Sequence, residues 1–144
     1  MRNKDITAVI TSFRSENKIV NCINSLGTDL KIIVIENSND VKLKNKLEKE
    51  FANLRCVLSE QNLGYAKGNN LGLSLVETKY ALIINPDAQI KEEKLNNFLT
   101  TAKANPDFAI IAPYIQETKK NKLSKQTDGV YEVKTVKGFA MFLN

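Results

Sequence analysis

Short runs of β-branched and apolar residues recur along this chain at a near-constant pitch, and each is followed by a segment with helical periodicity. Ile6–Ile10, Lys31–Ile35, Leu54–Leu58 and Ala81–Ile84 read as strands. Between them, Ile19, Cys22, Ile23 and Leu26 repeat at helical spacing before Gly27. Leu43, Leu47 and Phe51 mark the apolar face of a second helix, and Leu71 and Leu75 that of a third. Ser15 is a candidate cap for the first helix, and the turn Asn37-Ser38-Asn39-Asp40 has the chemistry to start the second. A fourth helix, with Glu92 and Glu93 in its first turn, faces inward through Leu95, Phe98, Leu99 and Ala102 and ends at Asn105-Pro106. A fifth strand is expected over Phe108–Ala112. Strand starts spaced by about 25 residues match the pitch of right-handed βαβ units. Strands apolar on both faces belong in a parallel sheet covered by helices. The pattern predicts a doubly wound α/β fold, mostly parallel, with helices on both faces.

The length fits one domain over residues 1–144. No apolar run approaches the roughly 20 residues of a membrane-spanning helix. The run at Ile6 is too short for the core of a signal peptide, so a cytoplasmic protein is expected. Residues 117–130 are polar and read as a loop or hairpin. The segment Val136–Leu143 is apolar and only Asn144 follows it, so a C-terminally truncated fold is expected, with an incompletely covered last strand.

Composition narrows the chemistry. The chain has no histidine, which removes Ser-His-Asp and Cys-His hydrolysis and His-ligated zinc. Its two cysteines, Cys22 and Cys56, stand apart among apolar residues and read as core fillers. The net charge of +5 is scattered. Its densest cluster, Lys119, Lys120, Lys122 and Lys125, reads as a solvated loop or as a contact for an anionic nucleotide or membrane surface.

In an open α/β sheet, ligands bind beyond the carboxyl ends of the strands, where strand order reverses. Those ends are polar here: Thr11 to Arg14, Glu36 to Ser38, Gln61 to Asn70, and Asn85 to Asp87. The glycine signatures of dinucleotide-binding and P-loop folds are absent, as is the nucleophile elbow of the α/β hydrolases.

These blocks resemble glycosyltransferases of the large inverting family 2, with the GT-A nucleotide-sugar fold. Thr7 to Arg14 is similar to that family's first strand and its "V-T-Y-N-S" loop, and Ile33 to Ser38 to "V-V-D-N-A-S". Asn62 to Gly72 is similar to "N-x-G-F-A-x-G-N-N-x-G", and Tyr80 to Ala88 to "Y-x-x-x-L-N-P-D-T". Lys137 to Met141 is similar to "x-G-A-x-M". The form "N-P-D" in place of "D-x-D" resembles rhamnosyltransferase-type enzymes of cell-surface polysaccharide assembly.

The resemblance implies a donor site for a nucleotide sugar, a dTDP- or UDP-sugar. Asp87 would ligate a divalent metal, Mg²⁺ or Mn²⁺, that stabilises charge on the leaving diphosphate. Without the block pattern, Asp87 after Pro86 reads first as a turn or cap residue, and the block pattern reverses that preference. Asn85 replaces the family's first acid. Glu36 would contact base or ribose, Thr11 and Phe13 would cradle the base, and Arg14 and Lys67 would face phosphate. Gly64 and Gly68 would permit close backbone approach, and Asn70 would fix the loop.

The acceptor would be a saccharide or lipid-linked molecule, with peripheral membrane association and no nucleic-acid partner. The family's general base lies in a downstream "E-D" motif that this sequence does not contain, so the base is expected beyond Asn144 and no catalytic residue is assigned within the chain. Glu117 and Asp128 lack its context, so donor binding without transfer is expected. A non-catalytic α/β nucleotide-binding or interaction module is the alternative.

Overall fold

The computed structural model describes residues 3–113, 129–130 and 132–144. The lysine cluster, Glu117 and Asp128 lie outside the described residues. The elements are β1 (Ile6–Ser12), α1 (Ile19–Leu26), β2 (Lys31–Glu36), α2 (Val41–Glu50), β3 (Leu54–Leu58), α3 (Gly64–Ser74), β4 (Tyr80–Ile84), α4 (Glu92–Ala104), β5 (Ile110–Ile111) and β6 (Ala140–Leu143). They form a six-stranded sheet in the order β3-β2-β1-β4-β6-β5. β1 pairs in parallel with β2 and β4, and β2 with β3. The chain builds outward from β1 to β3, then crosses to the other side of β1 with β4. The gap between the carboxyl ends of β1 and β4 is therefore the switch point at which a crevice opens.

Alternation along the strands divides the sheet into two faces. Ile6, Ala8, Ile10, Ile32, Val34, Leu82 and Ile84 join a core with the apolar faces of α1, α2 and α4. The opposite face carries Val9, Thr11 and Ile35, against which α3 packs. Helices therefore cover both faces. Asp40 caps α2, its Oδ1 accepting from the Leu43 N–H at 2.9 Å. Glu92 and Glu93 stand in the first turn of α4, whose buried residues are the predicted ones.

Four local expectations are corrected. Ser15 does not cap α1: Lys18 occupies the N-cap position, and the Ser15 hydroxyl donates to Phe13 O at 3.1 Å. The buried face of α3 is not Leu71 and Leu75, which are half-buried, but Gly68, Asn69 and Gly72. A Cβ on Gly72 would lie 2.3 Å from Val9 Cγ1, and one on Gly68 would lie 2.5 Å from Thr11 Cγ2. Helix and sheet approach through bare backbone, and large side chains there would hold them apart. The fifth strand shortens to Ile110–Ile111, because Phe108 is held in a turn by its N–H bond to Asn105 O.

The last apolar segment is not left uncovered either. β6 inserts antiparallel between β4 and β5, with Ile84 opposite Ala140 and Ile111 opposite Phe142. Phe142 is fully buried, stacked on Phe98 at 5.3 Å between ring centroids and tilted against Tyr80 at 5.2 Å. Asn144, directly after β6, is tied to the loop between α4 and β5. Its N–H donates to Ala109 O at 3.3 Å, and its side-chain Nδ2 donates to Pro106 O at 3.1 Å. Among the described residues no helix is long and apolar enough to cross a membrane.

Candidate active site

A cleft of about 420 Å³ opens at the β1/β4 switch point. Thr11 lines it from the end of β1, and Phe13, Ser15 and Lys18 from the segment between β1 and α1. Asn37 follows β2, Asn62, Gly64 and Tyr65 open α3, and Asn85, Pro86 and Asp87 follow β4. The predicted residues Thr11, Phe13, Gly64, Asn85 and Asp87 are thus brought together. Arg14, Glu36, Lys67 and Asn70 are not among the lining residues. Asn144, the position past which the general base is expected, is not among them either: β6 runs antiparallel to β4, so Asn144 follows Leu143, which pairs with Ala81 near the start of β4, while Asn85 and Asp87 follow its other end.

The walls are held by side-chain hydrogen bonds, to backbone and to one another. The Asn62 side-chain Oδ1 accepts from the Gly64 N–H at 2.9 Å, closing a turn in which Gly64 takes a φ of 73°, where a Cβ would be strained. Asn37 Nδ2 donates to Gly64 O at 3.2 Å, and its Oδ1 accepts from the Ser59 hydroxyl at 3.0 Å. Asn69, not Asn70, ties the helix to the strand: the Thr11 hydroxyl donates to Asn69 Oδ1 at 2.8 Å, while Asn70 is exposed. Lys67 is exposed one turn into α3. The segment after Leu63 is a helix, so the side chains of residues 64–70 spread around an axis instead of converging on one ligand.

Glu36 is fully buried at the end of β2. Its Oε1 accepts from the Ser38 N–H at 3.2 Å and from the Ser38 hydroxyl, and its Oε2 accepts from the Asp40 N–H at 2.6 Å. The carboxylate therefore shapes the turn that carries Asn37, and a direct contact with a nucleoside is not what the geometry offers. Phe13 is 44% exposed, with the Arg14 guanidinium carbon 5.1 Å from its ring centroid. Arg14 holds a left-handed φ of 52°, and its N–H donates to Ser38 Oγ at 3.4 Å. A non-glycine residue in that region stores strain, and the surrounding contacts must hold it there. Arg14 thus backs the aromatic ring and does not line the cleft.

Asn85 continues the ladder past β4, its N–H donating to Phe139 O at 2.9 Å. Its Oδ1 is buried without a hydrogen-bond partner among the described residues. Asp87 is exposed at the cleft, and its charge reaches the interior: burial first, then Asp87, pushes the Cys22 thiol up to about 12. Among the described residues no three ligating side chains cluster as a complete metal site. Asp87 and the orphaned Asn85 carbonyl are nonetheless hard oxygen donors on one strand end. That set fits Mg²⁺ or Mn²⁺, which are commonly held by one or two carboxylates and completed by substrate phosphates and water.

Sequence reasoning missed Lys18, Asn37, Tyr65 and Asn69. Lys18 carried a signal, since a cation at a helix N-terminus opposes the macrodipole. The Tyr65 hydroxyl donates to Gly138 O, 73 residues away, a contact that no local pattern encodes.

Known proteins are similar to this chain in sequence or fold. The hexosyltransferase Agl10 of low-salt glycan biosynthesis in Haloferax volcanii is 27% identical over 115 residues, covering 77% of this chain and 36% of that protein. The chain thus spans about a third of that relative's length. Staphylococcus aureus TarS 1-349, in complex with UDP, superposes with a TM-score of 0.68 over 94% of this chain and 46% of that one, at 18% identity. The mannosyltransferase PcManGT of Pyrobaculum calidifontis, in complex with GDP-Man and Mn²⁺, gives a TM-score of 0.62 at 15% identity, covering 74% and 34%. At such identities these two structures establish the shared fold. The sequence pattern of the family described as Glycosyl transferase family 2 matches residues 7–142, nearly the whole chain, and the protein belongs to that family.

Proposed function

We propose that the cleft binds a nucleoside diphosphate sugar and that this chain supplies the donor-binding half of an inverting glycosyltransferase. The observation that carries this reading is the meeting of Phe13, Asn85 and Asp87 at the β1/β4 switch point of a family 2 chain. Phe13 offers an aromatic face to the base, and Thr11 lines the cleft beside it. The bound UDP of TarS and the GDP-Man and Mn²⁺ of PcManGT support the same ligand class here. Asp87, with the free carbonyl of Asn85, would hold Mg²⁺ or Mn²⁺. When bound, the metal stabilises the charge of the departing diphosphate.

Glu36 keeps the β2 turn in shape and so presents Asn37. Asp87 is the one carboxylate among the described cleft residues, so deprotonation of the acceptor falls to a base outside that set. The acceptor is a saccharide or lipid-linked molecule, the subgroup rhamnosyltransferase-like, and the setting cell-surface polysaccharide synthesis at the cytoplasmic face of the membrane. The glycan-biosynthesis role named for the Haloferax relative supports that setting.

Calorimetric titration of UDP, dTDP and GDP with and without Mn²⁺ tests this reading. Metal should strengthen binding, and Asp87→Ala should remove about 1.5–3 kcal/mol, as expected for loss of a charged contact. Undiminished metal-dependent binding by Asp87→Ala would overturn the assignment.

A further inference from the structure

We infer that Lys18, and neither Lys67 nor Arg14, is the cation that faces the donor's diphosphate. This rests on the donor reading above and goes beyond it. Among the described residues, Lys18 and Asp87 are the two charged side chains that line the cleft. A metal-binding carboxylate and an ammonium group in the same cleft suit a ligand that carries several negative charges and binds a divalent cation. A nucleoside diphosphate is such a ligand, whereas a neutral nucleoside or a free sugar needs neither charge.

The position of Lys18 supports the assignment. It sits at the N-cap of α1, and α1 has no acidic residue in its first turn and no side-chain cap. The positive end of a helix disfavours a lysine, so ammonium and helix end repel each other until an anion lies between them. A bound diphosphate would satisfy both. On the facing strand end the buried Oδ1 of Asn85 has no hydrogen-bond partner among the described residues, so it retains its capacity to accept from the same ligand or its metal. Lys67, by contrast, is on the exposed surface of α3, and the Arg14 guanidinium sits over Phe13.

The test is titration of UDP, GDP and dTDP in the presence of Mn²⁺, with uridine, guanosine and thymidine as nucleosides without phosphate. For whichever diphosphate the wild-type chain binds, Lys18→Ala and Lys18→Met should raise Kd roughly tenfold or more, as for loss of a charge-assisted contact. Both variants should leave affinity for the matching nucleoside unchanged. Lys18→Arg should recover most of the loss, and Lys67→Ala should bind like wild type. The salt dependence of diphosphate binding should flatten in Lys18→Ala. Lys18 is exposed, so thermal melts of the variants should match wild type. Diphosphate affinity unchanged in both Lys18→Ala and Lys18→Met would overturn this inference and leave the donor reading standing. A wild-type chain that binds none of the three diphosphates would overturn the donor reading, and the role of Lys18 with it.

Discussion

The Tyr65 hydroxyl donates to the backbone carbonyl of Gly138, joining the first turn of α3 to the approach into β6. Tyr65 also lines the cleft, so one side chain forms its wall and ties down the segment beside it. Burial raises its phenol above the ordinary value, against a smaller opposing effect of the hydrogen bond with Asn69. The proton therefore stays on the hydroxyl across the physiological range, as a donor must. Tyr65→Phe keeps the ring and removes the bond. It should lower stability by about 0.5–1.5 kcal/mol, the net value of one hydrogen bond. It should also speed amide exchange around residues 138–139 while leaving the α1 and α2 amides unchanged. Hydrogen exchange with and without the substitution measures both.

Gly72 is required by contact, not by conformation. An added methyl would lie 2.3 Å from Val9 Cγ1, on a β-branched side chain with little freedom to move. Gly72→Ala should destabilise the fold by about 1–3 kcal/mol, the range for overpacking, despite alanine's higher helix propensity. Val9→Ala alone leaves a cavity, but combined with Gly72→Ala it should restore part of the loss. Urea denaturation of the two single variants and the double variant gives the coupling directly.

Glu48 carries the clearest pH signature. Its carboxylate accepts from Lys44 Nζ at 2.7 Å and from the Cys56 N–H at 2.9 Å. The Lys44 hydrogen bond first, then the Cys56 amide, holds its pKa below the usual glutamate range. A folded-state pKa below the unfolded value gives stability that is present above the unfolded pKa and lost as pH falls through the folded one. Stability should therefore decline on acidification below about pH 4.3, the unperturbed glutamate value, and Glu48→Gln should flatten that decline. Denaturation midpoints measured across that range for both proteins decide it. The side chain is one-third exposed, so solvent screening keeps the effect small.

Much of the architecture was legible because it is written in local periodicity. All four leading strands, the helix following each of them and the cap at Asp40 follow from β-branched runs, helical spacing and turn chemistry. The rest depends on partners distant in sequence. The motif around Gly68 and Gly72 reads as a ligand loop. It is instead the bare face of α3, because glycine's role there depends on Thr11 and Val9 across the interface. The last segment reads as an uncovered edge, since nothing local says that it will slot between β4 and β5 beneath α4, or that Asn144 will bond back to Pro106 and Ala109. Within the site, Thr11, Phe13, Asn85 and Asp87 sit at strand ends that topology brings together, and that much can be read from the pattern. Glu36 is at such an end too, yet its oxygens are taken by Ser38 and Asp40, a detail of side-chain direction. Lysine identity likewise depends on direction: Lys18 faces the cleft and Lys67 does not.

The most direct measurement is a crystal structure of the chain with UDP, GDP or dTDP and Mn²⁺, with the metal located by anomalous scattering. The expected result is one manganese peak at bonding distance from an Asp87 oxygen, with both phosphates on its far side and the base against Phe13. A nucleotide bound elsewhere on the surface, or a manganese peak remote from Asp87, would contradict the assignment of this cleft as the donor site.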